Sequence, residues 1–311
     1  MCIRDRLYGV GRRSRSDVAI CYISDSVDQS VLNRMRKLIQ SIDVDALTMN
    51  IESLAECMFT HKWINPFPKF KYSERPDTAT AAILDGNIVI MVDNSPAVMI
   101  IPASIFDIIE EADDFNFSPM IGSYLRITRF FFSIVTWILT PLWLLFVNNP
   151  DWVPEFMKFV LITDDITVPV LLQLLILELA VDGLKLAAVN TPTMLSTPLS
   201  IVAGIVVGEY AVSSGWFNPE ALLYMAVVTV GTYGQTNFEM GYAFKFLRVL
   251  TLILTQIFNL GGFIAGVVIS VLMIAFNRTI TGKSYIYPLI PWDGKMLKRK
   301  VLRVRLPHSY K

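Results

Sequence analysis

Three charged residues stand where charge is costly. Glu178, Asp182 and Lys185 lie inside Val168–Val189, an otherwise apolar run. At 100° per residue they fall within roughly 60° of one helix face. An acidic side chain at the centre of a membrane helix costs about 2.5–3.5 kcal/mol on insertion scales, so this face is expected to turn away from lipid. Two arrangements satisfy that demand. The stripe lines a water-filled pore or ion path, or Asp182 and Lys185, three apart, form an ion pair packed between helices or lying at the interface. Thr229, Thr232, Tyr233 and Thr236 make a second polar stripe. Threonines there either line a conduit or bond back to their own helix. Glu209 and Glu239 are single carboxylates near helix ends, where an edge or capping role competes with ion handling.

Signatures of catalysis are missing from the sequence. No His-Glu-x-x-His, Gly-x-Ser-x-Gly or Walker lysine loop occurs, and Gly9-Val10-Gly11 runs into Arg12-Arg13-Ser14 rather than a dinucleotide loop. Cys2, Cys21 and Cys57 share no metal-ligand spacing, and His61 and His308 have no His or Cys nearby. The expectation is a non-enzyme without metal or cofactor. No basic surface is interleaved with aromatics, so nucleic acid is not an expected partner.

The elements that must position the charges follow from composition. Of 311 residues, 53% are hydrophobic and 17% charged, and the apolar excess lies after Ser118. A soluble average is about 25% charged. Residues 7–118 read as a cytoplasmic α/β domain. Asp17–Ile23 is a buried strand. Ser24-Asp25 caps a helix whose apolar face is Val31, Leu32, Met35, Leu38, Ile39 and Ile42. A short helix over Ile51–Phe59 follows. The turns Asp85-Gly86 and Asp93–Pro96 predict a three-stranded meander through Ala82–Leu84, Asn87–Val92 and Ala97–Ile101. The opening Met1–Arg6 joins no recognisable element and is expected to be an artefactual start.

Residues 119–290 read as a polytopic α-helical membrane domain of four to six helical segments. Phe130–Val147 has the length of a span, about 20 residues. Val168–Val189 and Pro219–Tyr233 follow the same pattern, and Pro198–Val212 is the segment least expected to cross fully. Leu247–Phe276, broken at Asn259-Leu260-Gly261-Gly262, is too long for one span, at about 1.5 Å per residue, and short for two. It predicts a kinked helix or a tight helical hairpin. Gly204 with Gly208, and Gly262 with Gly266, have the spacing that lets helix backbones approach, within the chain or between copies. Lys295–Lys311 carries seven Lys or Arg and no acid, whereas the Asn148–Thr167 loop holds Asp151, Glu155, Asp164 and Asp165 against Lys158. That asymmetry places the tail, residues 291–311, and the N-terminal domain in the cytoplasm, with an even number of crossings.

Several segments resemble the GerA spore germination family, the germinant-receptor A-subunit type. They are Gly11-Arg-Arg-Ser-Arg-Ser-Asp-Val-Ala-Ile-Cys-Tyr-Ile23, Pro66-Phe-Pro68, Ser73-Glu-Arg-Pro-Asp77, Leu84–Pro96 and Ser284–Trp292. Glu178–Pro192 and Phe238–Ala243 are nearer the branch of stage V sporulation AF proteins. The resemblance covers residues 7–306. It implies an integral protein of the inner spore membrane, acting in germination as a ring-shaped homo-oligomer that conducts ions or amplifies ion release. Other germination membrane proteins are implied as partners. The alternative is a non-conducting scaffold or receptor subunit. Family members carry another cytoplasmic subdomain before the Gly11 region, which makes a truncated reading frame the expectation here.

Overall fold

The computed structural model describes residues 3–58, 65–163, 167–190 and 204–303. His61, His308, Asp164, Asp165 and most of the span expected from Pro198 lie outside these residues. The chain divides into two compact units. Unit one comprises Met1–Ile127 and Met273–Lys311, and unit two comprises Thr128–Leu272.

Unit one is built on a five-stranded antiparallel sheet in the order β1-β2-β4-β5-β3. The strands are β1 (Ile3–Val10), β2 (Ser16–Ile23), β3 (Lys71–Ser73), β4 (Ile88–Val92) and β5 (Val98–Ile101). Alternation in β2 sends Val18, Ile20 and Tyr22 to one face, where they join α1 (Gln29–Gln40) and α2 (Ile51–Met58) in the main core. Cys21 and Ile23 point to the other face, against α3 (Pro76–Leu84). Central β4 buries residues on both faces, Ile88 and Ile90 with the main core and Val89 with α3.

Three sequence expectations are corrected here. Ile3–Arg6 do join an element: β1 pairs with β2 from Ile3↔Ile23 to Val10↔Ser16. The cap of α1 is Asp28, whose carboxylate accepts from Ser30 N at 3.0 Å, because Ser24–Val27 first turn back on Ile23. Ala82–Leu84 is the end of α3, not a strand. Pro76 occupies its first turn, and Ala79, Ala82 and Ile83 are buried at helical spacing. Asp85-Gly86 therefore leaves a helix, with Gly86 at φ +86°.

The segment after Ala275 belongs to unit one. Fully buried Tyr285 accepts from Ile105 N through its carbonyl at 3.0 Å, and Lys69 donates to the Arg278 carbonyl at 2.7 Å. The helix α4 (Ile105–Ile109) starts with a capping box between Ser104 and Asp107. At the foot of α5 (Pro119–Asn148), Arg126 is 2% exposed. It binds Glu110 at 2.5 Å, the fully buried Asp114 at 3.3 Å and the Arg299 carbonyl at 3.1 Å.

Unit two contains the rest of α5, α6 (Val170–Asn190), α7 (Pro219–Tyr233) and most of α8 (Phe238–Ala275). Among the described residues two helices are long and apolar enough to cross a membrane, α5 and α8. The expected break in α8 is present: Asn259 has φ 51° and ψ −130°. The glycines decide between kink and hairpin. A Cβ on Gly262 would lie 1.8 Å from the Leu254 carbonyl oxygen, and one on Gly266 2.9 Å from Thr251 Cα. Residues eight and fifteen apart can touch in this way only if the chain folds back, so α8 is a tight helical hairpin of limbs 238–258 and 260–275. Asn149 and Asn259 exchange side-chain hydrogen bonds at 2.6 and 2.9 Å, tying its tip to the end of α5.

Gly262→Ala is expected to lower the stability of the hairpin by at least about 1–3 kcal/mol, because the obstruction is backbone and cannot rotate away. Gly261→Ala, with nothing within 4 Å, is the control and should be neutral or slightly stabilising. Thermal melting of the purified chain in detergent compares the two. Gly204 and Gly208 differ from this pair. They lie in a π-helical turn, Gly204–Tyr210, and a Cβ on either meets nothing within 4 Å among the described residues.

Candidate functional site: a charged cavity among apolar helices

Three contacts fix the helices that form the site. Gln173 near the start of α6 and Asn218 before α7 bind each other twice. Gln173 donates to the Asn218 side chain at 2.7 Å, and Asn218 N donates back to Gln173 Oε1 at 2.8 Å. Trp143 of α5 lies 4.8 Å from the ring of Tyr224 and donates to the Val160 carbonyl at 2.8 Å. Gly231 lets α7 close onto α5, since a Cβ there would sit 2.6 Å from Thr136 Cγ2. Asn237 caps α8 by accepting from Met240 N at 3.0 Å.

These helices enclose a cavity of about 340 Å³. Its wall includes Glu178, Asp182, Lys185, Thr229 and Thr232, five of the six polar residues singled out in the sequence. Thr236 sits in the exposed turn between α7 and α8 and is not on the wall. Glu209 and Glu239 are exposed. Both cavity threonines bond back to their own helix, Thr229 to the Met225 carbonyl at 2.7 Å and Thr232 to the Val228 carbonyl at 2.8 Å.

The ion pairs run between helices. Arg248 on α8, 3% exposed, donates to Glu178 Oε1 at 2.5 Å and also to the Thr136 carbonyl of α5. Lys245 pairs with Asp182, donates to the Glu178 carbonyl at 3.3 Å and lies 3.7 Å from Glu178 Oε2. The i,i+3 pair weighed for Asp182 and Lys185 does not form, because Lys245 reaches Asp182 from the facing helix. Lys185 instead stands over two rings, 5.2 Å from that of Tyr233 and 5.9 Å from that of Tyr242. Among the described residues it makes no ion pair. Three basic side chains thus meet two acidic ones, and the charge left over sits on Lys185.

Sequence reasoning missed Lys245 and Arg248. The signal was present: two cations three apart in the apolar stretch Phe244–Leu250 demand anionic partners as much as Glu178 demands cationic ones. The apolar segment Leu247–Phe276 leaves Lys245 outside and carries Arg248 one residue from its start, where a lone cation reads as a helix-end charge. Around this polar centre the helices are apolar outward, with Leu179 73%, Leu223 60% and Ile257 64% exposed.

The sequence profile described as Bacillus/Clostridium GerA spore germination protein matches residues 4–311. The chain belongs to the GerA family. Relatives include stage V sporulation protein AF of Bacillus subtilis (strain 168), 35% identical over 305 residues, covering 98% of this chain and 62% of the relative. Spore germination protein GerLA of Bacillus cereus is 26% identical over 307 residues, covering 97% and 61%. The uncharacterized membrane protein YfkQ of Bacillus subtilis (strain 168) is 26% identical over 296 residues, covering 94% and 57%. The chain therefore spans about three fifths of the length of the GerA relatives it matches. Among solved structures, the N-terminal domain of the A subunit of the Bacillus megaterium spore germinant receptor GerK3 is 30% identical. It covers 32% of this chain and 76% of that one, with a TM-score of 0.24, which carries no argument about the fold.

Proposed function

We propose that this GerA-family chain is a non-enzymatic subunit of an oligomeric, ion-conducting assembly acting in spore germination. In this reading unit two is a polytopic unit of the inner spore membrane, and unit one, with the C-terminal segment, faces the cytoplasm. The observation that carries it is the inside-out polarity of unit two. Five charged side chains turn inward onto one cavity, while Leu179, Leu223 and Ile257 turn outward and stay bare. Water-soluble bundles bury the apolar residues and expose the charges; a lipid solvent reverses that preference. Lys185 gives the cavity an uncompensated charge that an ion path can use, and Thr229 and Thr232 offer neutral polar walls.

A second reading, a non-conducting scaffold or receptor subunit working with other germination membrane proteins, draws on a different observation. Four of the five charges are already paired within one protomer. Ion release from liposomes containing the purified chain separates the two. The conducting reading expects release above that of empty liposomes. It also expects Lys185→Gln to raise cation release relative to anion release by roughly tenfold, since a unit charge several Å from the path contributes about 1–3 kcal/mol at an effective dielectric near 20. Release no faster than from empty liposomes, unchanged by the substitution, favours the scaffold.

A further inference from the structure

The chain between α5 and α6 turns back at once. Trp152 N donates to the Asn149 carbonyl and Val153 N to the Pro150 carbonyl, both at 3.1 Å, and Val153 is buried. A 3-10 helix over Glu155–Val160 follows. Two contacts fix its depth. The Trp143 indole donates to the Val160 carbonyl at 2.8 Å, and Val160 and Ile162 pack against the core of Trp143, Leu144 and Val170. Trp143 stands four residues before Val147, the end of the apolar stretch of α5, or about 6 Å at 1.5 Å per residue. Val160 is therefore held alongside the last turns of α5 and not beyond its end.

A 3-10 helix has three residues per turn, so residues three apart share a ridge. The three ridges of Glu155–Val160 differ in chemistry. Met157 and Val160 are half-buried, and Val160 packs on the core. Glu155 and Lys158 are exposed and pair at 3.2 Å. Phe156 and Phe159 are 79% and 77% exposed. Two bare phenyl rings on one ridge are poorly suited to water. A protein groove deep enough to cover them would also strip water from the charged ridge beside them. A lipid surface does neither, since its acyl boundary takes rings and its headgroup layer takes charges within a few Å. The apolar surface also continues at this end of unit two. The tip of the α8 hairpin, tied through Asn259 to Asn149, carries exposed Ile257 and Phe258.

We propose that Glu155–Val160 is an interfacial element that lays Phe156 and Phe159 into the acyl boundary of the bilayer and keeps Glu155 and Lys158 among the headgroups. The proposal rests on unit two being a membrane body and does not depend on ion conduction.

Bimane on single cysteines tests it in the full chain, in a variant with Cys2, Cys21 and Cys57 changed to Ser, reconstituted in phosphatidylcholine liposomes. The labelled variants are Phe156→Cys, Phe159→Cys, Glu155→Cys and, as the lipid-facing reference, Leu223→Cys. Bromination of the acyl chains should lower emission at the Phe156, Phe159 and Leu223 positions by at least about twofold, whereas aqueous iodide should quench the Glu155 position more than these by a similar factor. Both rings are exposed, so their replacement spares the core. Thermal melting checks each variant, and either Phe position suffices if the other melts early. Bromolipid quenching at the Leu223 position without quenching at either Phe position overturns the proposal and leaves the membrane reading standing. Phe positions open to iodide are then in water, and Phe positions reached by neither quencher are covered by protein, a second copy included. Loss of bromolipid quenching at the Leu223 position as well removes the membrane reading and the proposal with it.

Discussion

Replacing Glu178 with Ala should destabilise unit two by about 3–5 kcal/mol, the cost of leaving a buried partner charge uncompensated. Arg248 is the partner at risk, since it is 3% exposed and its Nε has Glu178 as acceptor. Lys245 retains Asp182, so the loss should concentrate on the Arg248 side of the cluster. The double variant Glu178→Ala, Arg248→Met should recover most of the loss, because it removes both charges and returns apolar volume to an apolar wall. Thermal melting of the four proteins in one detergent closes the cycle. Additive losses would mean that the two residues contribute separately and that the pair is not the clamp described here.

A loss of similar size is expected in unit one from Arg126→Ala. Asp114 is fully buried, and its contact with Arg126 lies inside a cluster that also takes in Glu110, Lys300 and the Arg299 carbonyl. Removing the guanidinium breaks a buried ion-pair cluster that joins Glu110 and Asp114, again at about 3–5 kcal/mol. Amide exchange in α9 (Gly294–Val301) should accelerate as well, because Arg126 is one of the donors holding that helix at its Arg299 carbonyl. Arg126→Lys should restore only part of the protection, since an ammonium cannot span both carboxylates and the carbonyl with the geometry of the guanidinium fork. Equal exchange in wild type and Arg126→Ala would contradict the assignment.

Local pattern made much of unit one legible. The period-two alternation of β2 and the helical spacing of Val31, Leu32, Met35 and Ile39 each point one face at one core. The error at Ala82–Leu84 is instructive. A three-residue apolar run before Asp-Gly has the same look in a strand and at a helix end. The deciding signal stood earlier, in Pro76 with Asp77 at a helix start. In unit two the break at Asn259 was visible, because Asn tolerates positive φ and two glycines follow. Its geometry was not visible, for it depends on Gly262 meeting Leu254 across the fold. The same holds at the charged cavity. Glu178, Asp182 and Lys185 announce themselves by their cost in an apolar helix, but their partners are set by how α6 packs on α8, about sixty residues away in sequence.

The central claim is that the cavity lined by Lys185 and Thr232 is wet while the outer face of the same helices lies in lipid. Single cysteines test it most directly, introduced into a variant with Cys2, Cys21 and Cys57 changed to Ser and labelled in intact membranes with a charged, membrane-impermeant thiol reagent. Lys185→Cys and Thr232→Cys should label readily, and Leu179→Cys and Leu223→Cys should resist until detergent is added. Labelling of the leucine positions in intact membranes as fast as the cavity positions would contradict the account.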